Sequence, residues 1–268
     1  MSAIYQPRTN LRSRFERKAA QHIGTRKITP KLDQSIISFS FDDCPKSALT
    51  NAAPLLEAEG WLGTFYMAMG LCDKVNHLGL HMNQDDVKAA YDSGHEIADH
   101  TFSHIDGQQS PHQDFLADIE TNQTALNALN IPFSRNFAYP YGCLCPKLKA
   151  KIAQKFELAR GVHNPSFNSA NKPLDSALLP SMRMYHNQTI DDIIRVIKTM
   201  EQTPQWLTVF THDVSETPSN FGCTIADMEH VIQVIKDSGT RVMPMIEAYD
   251  YIQSKEPSSI KTVGRQNA

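Results

Sequence analysis

Apolar residues along this chain fall into two spacings that alternate. Short runs of β-branched, aromatic or small residues read as buried strands. Each is followed by a stretch in which apolar positions recur every three or four residues, as on a helix with one buried face. Residues 36–41 form the first such strand, and residues 47–59 follow with helical spacing (Leu49, Ala53, Leu56) and Gly60 at the place of a C-cap. Residues 64–68 read as a second strand, 72–82 as a loop, 83–93 as a capped helix closed by Gly94, and 95–99 as a strand that stops at His100. Helices are then predicted over 114–130, 146–156, 189–200 and 224–239, and strands over 136–139, 158–162, 206–210 and 241–245. Thr189 with Asp192, and Thr224 with Asp227, fit the N-cap and N3 positions of capping boxes. Strand and helix alternate with short connections and no interior linker, the pattern of a parallel sheet or (β/α) barrel in one domain.

Composition narrows the function classes. With 268 residues, 41% hydrophobic, 21% charged and a formal charge of -3, the chain has the make-up of a globular enzyme and no global attraction to nucleic acid. The five cysteines are scattered, and Cys143-Leu144-Cys145 lacks the second pair that a structural zinc site needs, so reduced thiols are expected. No run approaches the length of a membrane-spanning helix, and residues 1–8 contain no apolar signal core, so the expected location is the cytoplasm. Residues 1–33 are basic (Arg8, Arg12, Arg14, Arg17, Lys18, Arg26, Lys27, Lys31) and read as a solvated segment without assigned function. Residues 34–254 form the expected catalytic domain, and residues 255–268 a polar, frayed tail.

Candidate chemistry gathers at the predicted strand ends. The first strand runs into Asp42 and Asp43, adjacent carboxylates closed off by Cys44-Pro45. Neighbouring strand side chains point to opposite faces, so two roles suit the pair better than one. His100 and His104 follow another strand. If the chain turns helical there, both imidazoles share a face and reach one metal ion, with Asp43 as the third ligand. His77 and His81 have the same spacing but sit in a loop beside Gly79, and read as surface residues. Pro140-Tyr141-Gly142 is a constrained turn that could present the Tyr141 N–H to a substrate oxygen. An apolar strand ends in His212, a side chain suited to proton transfer near neutral pH.

Taken in order, Ser40-Phe-Asp-Asp, then Gly94-His-Glu-Ile with His100-Thr-Phe-Ser-His104, then Tyr139-Pro-Tyr-Gly, then a strand ending in His212, the chain resembles the polysaccharide deacetylase family. This is the NodB-homology or fourth carbohydrate esterase family, and the likeness spans residues 36–252. The resemblance implies a distorted (β/α) barrel and one divalent metal held by Asp43, His100 and His104, zinc first, with cobalt, nickel or iron as alternatives. It implies Asp42 as the general base for an attacking water, the Tyr141 N–H as an oxyanion donor, and His212 as the acid that protonates a departing amine. The implied substrate is an N-acetylated amino-sugar oligosaccharide or glycan.

Three positions depart from that pattern. Cys44 stands where the family commonly has Gly, and reads as a small buried neighbour rather than a nucleophile. Ala138 stands where many members carry an arginine that orients the base, and Arg160 or Arg183 could supply that charge. No Asp-containing motif supporting His212 is evident, and strand alternation points Asp213 away from it. Two other readings therefore stand beside the deacetylase: a hydrolase of small non-sugar amides or ureides, and an inactive carbohydrate-binding relict of the barrel.

Overall fold

The structure, a computed structural model, describes residues 5–165 and 173–255, so nearly all of the expected C-terminal tail lies outside the described residues. In chain order the strands are β1 (Lys27–Ile28), β2 (Ile36–Asp42), β3 (Thr64–Met67), β4 (Val75–Asn76), β5 (Gly79–Leu80), β6 (Glu96–Asp99), β7 (Asn136–Ala138), β8 (Leu158–Arg160), β9 (Leu174–Asp175), β10 (Met182–Arg183), β11 (Trp206–Thr211) and β12 (Arg241–Val242). The helices are α1 (Leu11–Ala20), α2 (Ala53–Glu57, entered through a π-turn at Ala48–Ala52), α3 (Gln84–Asp92), α4 (His112–Ala128), α5 (Pro146–Lys155), α6 (Ile190–Met200), α7 (Ile225–Ser238) and α8 (Met245–Lys255).

The main sheet runs β10-β11-β2-β3-β6-β7-β8, all parallel, with β12 added beside the start of β2. Leu179 bridges to β8 through Leu179 N–H to Ala159 O (2.7 Å) and Gly161 N–H to Leu179 O (2.9 Å), and the chain then enters β10. The curl thus comes round on itself as a distorted (β/α) barrel, as the alternation of elements predicts. Along β2, Ile37, Phe39 and Phe41 pack outward in one apolar cluster with Leu56, Val231 and Ile235 of the surrounding helices. Ser38, Ser40 and Asp42 alternate with them, so the inner face carries small polar groups and then a carboxylate. Parallel strands place all their C-terminal ends on one rim, and that rim collects the charged residues.

Three local readings need correction. After β6 the chain does not turn helical: Thr101 (φ 59°) and His104 (φ 52°) adopt left-handed backbone. The reason is side-chain competition for backbone groups: the Thr101 N–H donates to Asp99 Oδ1 (2.8 Å), and the Ile105 N–H donates to Thr101 Oγ1 (3.2 Å). The Thr189 capping box does not form, because Thr189 Oγ1 donates to Arg183 O (2.6 Å) and accepts the Tyr185 N–H (3.1 Å); the box at Thr224 and Asp227 does form. His81 is buried, its N–H on Lys74 O (2.9 Å), because the β4–β5 hairpin folds back over the end of β2. His77 is exposed, as its loop position predicts, and it lines the central cleft.

The basic N-terminal segment contains a helix that the pattern of apolar residues conceals. α1 is capped by Asn10, whose side chain accepts the Ser13 N–H, and it buries Ser13 and Ala20 while Leu11 and Phe15 stay exposed. Its end is pinned by Lys149, a fully buried lysine that donates to Ala20 O (2.6 Å), Ile23 O (3.0 Å) and the Asp175 carboxylate. Lys149→Met should cost about 3 kcal/mol, the low end for breaking a buried ion pair because Asp175 keeps some solvent. A lowered Tm with faster amide exchange in residues 11–28 is the expected result; an unchanged Tm would mean the arm is held by other contacts.

Candidate active site

Both carboxylates at the end of β2 reach the same cleft, contrary to simple strand alternation. Asp42 is the last strand residue, but Asp43 (φ 60°) and Cys44 (φ 56°) are left-handed, and this reversal swings Asp43 back toward the rim. The left-handed backbone at 44 also explains why glycine suits that position. Cys44 itself is wholly buried, its Sγ donating to Tyr66 O (3.2 Å). Burial, followed by the Asp43 and Asp42 charges, pushes its thiol well above the ordinary range, so it is no nucleophile. Cys44→Gly should keep turnover, and iodoacetamide at mildly alkaline pH should not label Cys44 in the folded protein; loss of turnover in that variant would reopen a chemical role for the thiol.

Asp43, His100 and His104 converge. Asp43 Oδ1 lies 3.3 Å from His100 Nε2 and 3.0 Å from His104 Nε2, and the three donor atoms are all within 4.8 Å of one another. Asp43 Oδ1 is buried and satisfied by no hydrogen bond of good geometry. Nδ1 of His100 donates to Ala138 O (2.8 Å), which leaves Nε2 as the lone-pair atom facing Asp43. Burial raises the Asp43 pKa, but the positive potential of His104 and the close imidazoles of both histidines outweigh it and hold the carboxylate well below its usual range. Two imidazole nitrogens and one anionic oxygen around an otherwise unsatisfied spot fit a divalent cation, whose bonds to such donors are about 2.0–2.2 Å.

Asp42 is gripped by Arg160, whose Nη2 donates to Asp42 Oδ1 and whose Nη1 donates to Gly161 O (3.1 Å). The guanidinium is fully buried, 4.7 Å from the Tyr66 ring centroid and 4.8 Å from that of Phe210. Burial disfavours its charge, Asp42 restores it, and the net pKa shift is upward. Arg160 is the register partner of Ala138 on the adjacent strand, so the guanidinium that meets Asp42 comes from one strand over from the alanine. Arg183 is exposed on the cleft rim and makes no contact with Asp42 among the described residues.

Tyr141 sits at φ 58°, ψ 4° in a single 3₁₀ turn (Pro140–Gly142), and its N–H has no backbone acceptor among the described residues. Its ring packs 4.3 Å from that of His104. His212, just beyond β11, lies among the rings of Tyr185, Phe210 and Phe221. Its Nδ1 is 3.0 Å from Phe221 O; a carbonyl only accepts, so Nδ1 carries the proton and Nε2 is free. Asp213 does point away from His212, yet it builds this support. Its carboxylate accepts the Ser219 N–H (2.7 Å) and Oγ–H (2.6 Å), and Gly222 is pressed so closely against Asp213 that a Cβ would meet its backbone oxygen at 2.3 Å and its carboxylate at 2.5–2.6 Å. That loop brings the Phe221 carbonyl to His212. No sequence motif marks it, because a backbone carbonyl carries no residue identity.

Asp42, Asp43, His100, His104, Tyr141 and His212 line one cleft of about 530 Å³, a volume typical of small-ligand sites. The fold and the site define a parallel α/β barrel with an Asp-His-His cluster, a clamped carboxylate and a strand-end histidine on its C-terminal rim. The chain belongs to the polysaccharide deacetylase family, whose model matches residues 29–160. Solved structures share the fold at low identity. The chitin deacetylase of the fungal pathogen Colletotrichum lindemuthianum is 15% identical with a TM-score of 0.60, over 84% of this chain and 92% of that one. The Xyl-CE4 domain of a multidomain xylanase from the hindgut metagenome of Trinervitermes trinervoides is 17% identical at 0.57, over 84% and 94%. A CE4 family pseudoenzyme from Bacillus anthracis is 15% identical at 0.53, over 82% and 67%. No protein of the curated set matches. Among the described residues, no helix is long and apolar enough to cross a membrane.

Proposed function

We propose that this protein is a metal-dependent hydrolase that removes N-acetyl groups from an amino-sugar oligosaccharide or glycan and releases acetate. The observation that carries the reading is the convergence of Asp43, His100 and His104 beside an Arg160-clamped Asp42 in one cleft with Tyr141 and His212. Asp43, His100 and His104 are the three donors for one divalent cation, zinc in this reading, with cobalt, nickel or iron accepted by the same set. When bound, the cation supplies Lewis acidity, acidifying water and polarising the acetyl carbonyl.

The other steps fall to the chain's own groups. Asp42, held in one orientation by Arg160, takes the proton of the attacking water. The Tyr141 N–H donates to the oxygen that gains charge as the carbonyl carbon becomes tetrahedral, a contact worth about 3–4 kcal/mol in such sites. In its doubly protonated form His212, with Nδ1–H anchored on Phe221 O, delivers the Nε2 proton to the nitrogen as the C–N bond breaks; the amine leaves neutral and the imidazole is left as the Nδ1–H tautomer. A family neighbour is a pseudoenzyme, so the fold alone does not argue for turnover. Arg160 on Asp42 and the Phe221 carbonyl on His212 supply the two supports whose lack favoured an inactive relict.

The test is acetate release from N-acetylglucosamine oligomers by protein as purified, after chelation, and after zinc is returned. Release should vanish with chelator and recover with zinc. Asp43→Ala should contain no metal by elemental analysis and stay inactive at saturating zinc. Metal-loaded wild type that releases no acetate from any sugar, yet cleaves a small amide or ureide in a substrate panel, would transfer the barrel to that other chemistry.

A further inference from the structure

The family match begins at residue 29, yet Tyr5, Gln6 and Pro7 form part of the wall of the cleft that holds Asp42, Asp43 and His212. The arm is built into place. The Tyr5 hydroxyl donates to Asp106 Oδ2 (2.7 Å), a buried carboxylate that also accepts the Gln108 N–H (2.7 Å), and the Gln109 side-chain amide donates to the Tyr5 oxygen. Behind it, Arg17 donates to Gln108 Oε1 (2.6 Å) and the Gln108 amide donates to Ser13 O (3.0 Å), which ties α1 to the same loop. Burial and then the Asp106 contact raise the Tyr5 pKa, so the phenol stays a neutral donor.

The Tyr5 ring lies 4.6 Å from the Tyr141 ring, tilted by 41°, and Tyr5 remains 42% exposed. His104, Tyr141 and Tyr5 therefore make a file of rings leading away from the Asp-His-His cluster, with Tyr5 one ring further out. A partly exposed aromatic ring, held by a part-buried hydrogen bond, is a surface for the apolar C–H face of a pyranose, while hydroxyls at the sugar's edge stay in water.

Resting on the deacetylase reading, we propose that Tyr5 is the platform of a second sugar subsite. It binds the pyranose next to the one that is deacetylated, so the protein favours linked sugars over a monosaccharide. The segment that carries this preference is this chain's own N-terminal arm, which lies before the family match.

The experiment compares wild type, Tyr5→Ala and Tyr5→Phe, zinc-loaded, on N-acetylglucosamine and its tetrasaccharide, with kcat and KM measured separately. Binding of the tetrasaccharide is also measured by calorimetry in an Asp42→Asn background, which needs no turnover. Tyr5→Ala should lower the tetrasaccharide-to-monosaccharide ratio of kcat/KM about tenfold, through KM, with a matching loss of affinity, and Tyr5→Phe should retain the ratio. An unchanged ratio in Tyr5→Ala overturns the subsite, as does an equal fall in kcat for both substrates, which would make Tyr5 a prop for Tyr141. If wild type neither binds nor hydrolyses any of these sugars, the deacetylase reading itself fails and the subsite with it, an outcome visible before Tyr5 is altered.

Discussion

The Asp42→Asn protein should keep its metal and lose about 10²- to 10⁴-fold in kcat, the usual contribution of a positioned general base. The carboxamide oxygen can still accept the Arg160 Nη2–H, so the local geometry survives, but it cannot take up a proton at neutral pH. Asp43, His100 and His104 are untouched, so elemental analysis should find the same metal content as in wild type. KM should move little, because the change removes an interaction made in the transition state rather than a ground-state contact. Full turnover in this variant would remove Asp42 as the base.

Arg160→Met should damage both rate and stability. Among the described residues Arg160 is the cation whose guanidinium meets Asp42, and removing one member of a buried pair leaves an uncompensated charge, at a cost of about 3–5 kcal/mol. The loss of orientation at Asp42 should appear in kcat at temperatures where the variant is still folded. The geometry also offers a rescue that simple destabilisation would not show. Ala138 and Arg160 are register partners on neighbouring parallel strands, about 4.8 Å apart, and Ala138 belongs to the same small buried cluster as Tyr66, on which Arg160 stacks. Arg160→Ala combined with Ala138→Arg should recover part of the lost kcat and Tm. Ala138→Arg alone should be destabilised, since it crowds two cations around one carboxylate. A cycle of these variants measures the coupling directly, and additive effects would show that the arginine's position on the sheet does not matter.

Much of this barrel was legible from the apolar pattern. Most main strands announce themselves by short apolar runs, and most flanking helices by their period, because these signals are local; the two-residue β10 carries no such run. Where tertiary contacts overrode local preference, the pattern misled. The turn after β6 follows Asp99 and Thr101 side chains that capture backbone N–H groups, and Thr189 spends its hydroxyl on the β10 loop instead of on α6. α1 escaped notice because its buried positions are Ser13 and Ala20 while its large apolar residues face out. α8 was hidden for another reason: its first N–H groups are satisfied by Thr64 Oγ1 (2.9 Å) and Glu96 Oε2 (3.0 Å), distant in sequence.

The candidate site divides along the same line. The sequence alone determined which residues stand at the strand ends: Asp42 and Asp43, His100 and His104, Tyr141, His212. Strand ends are set by short-range composition, and parallel strands send all such ends to one rim. Only the tertiary structure decided that Arg160, not Arg183, meets Asp42, that the Phe221 carbonyl supports His212, and that Tyr5 enters the cleft. These pairings join positions far apart along the chain, through the register of neighbouring strands and the path of loops. Side-chain packing around a closed sheet settles that register, and no local spacing encodes it.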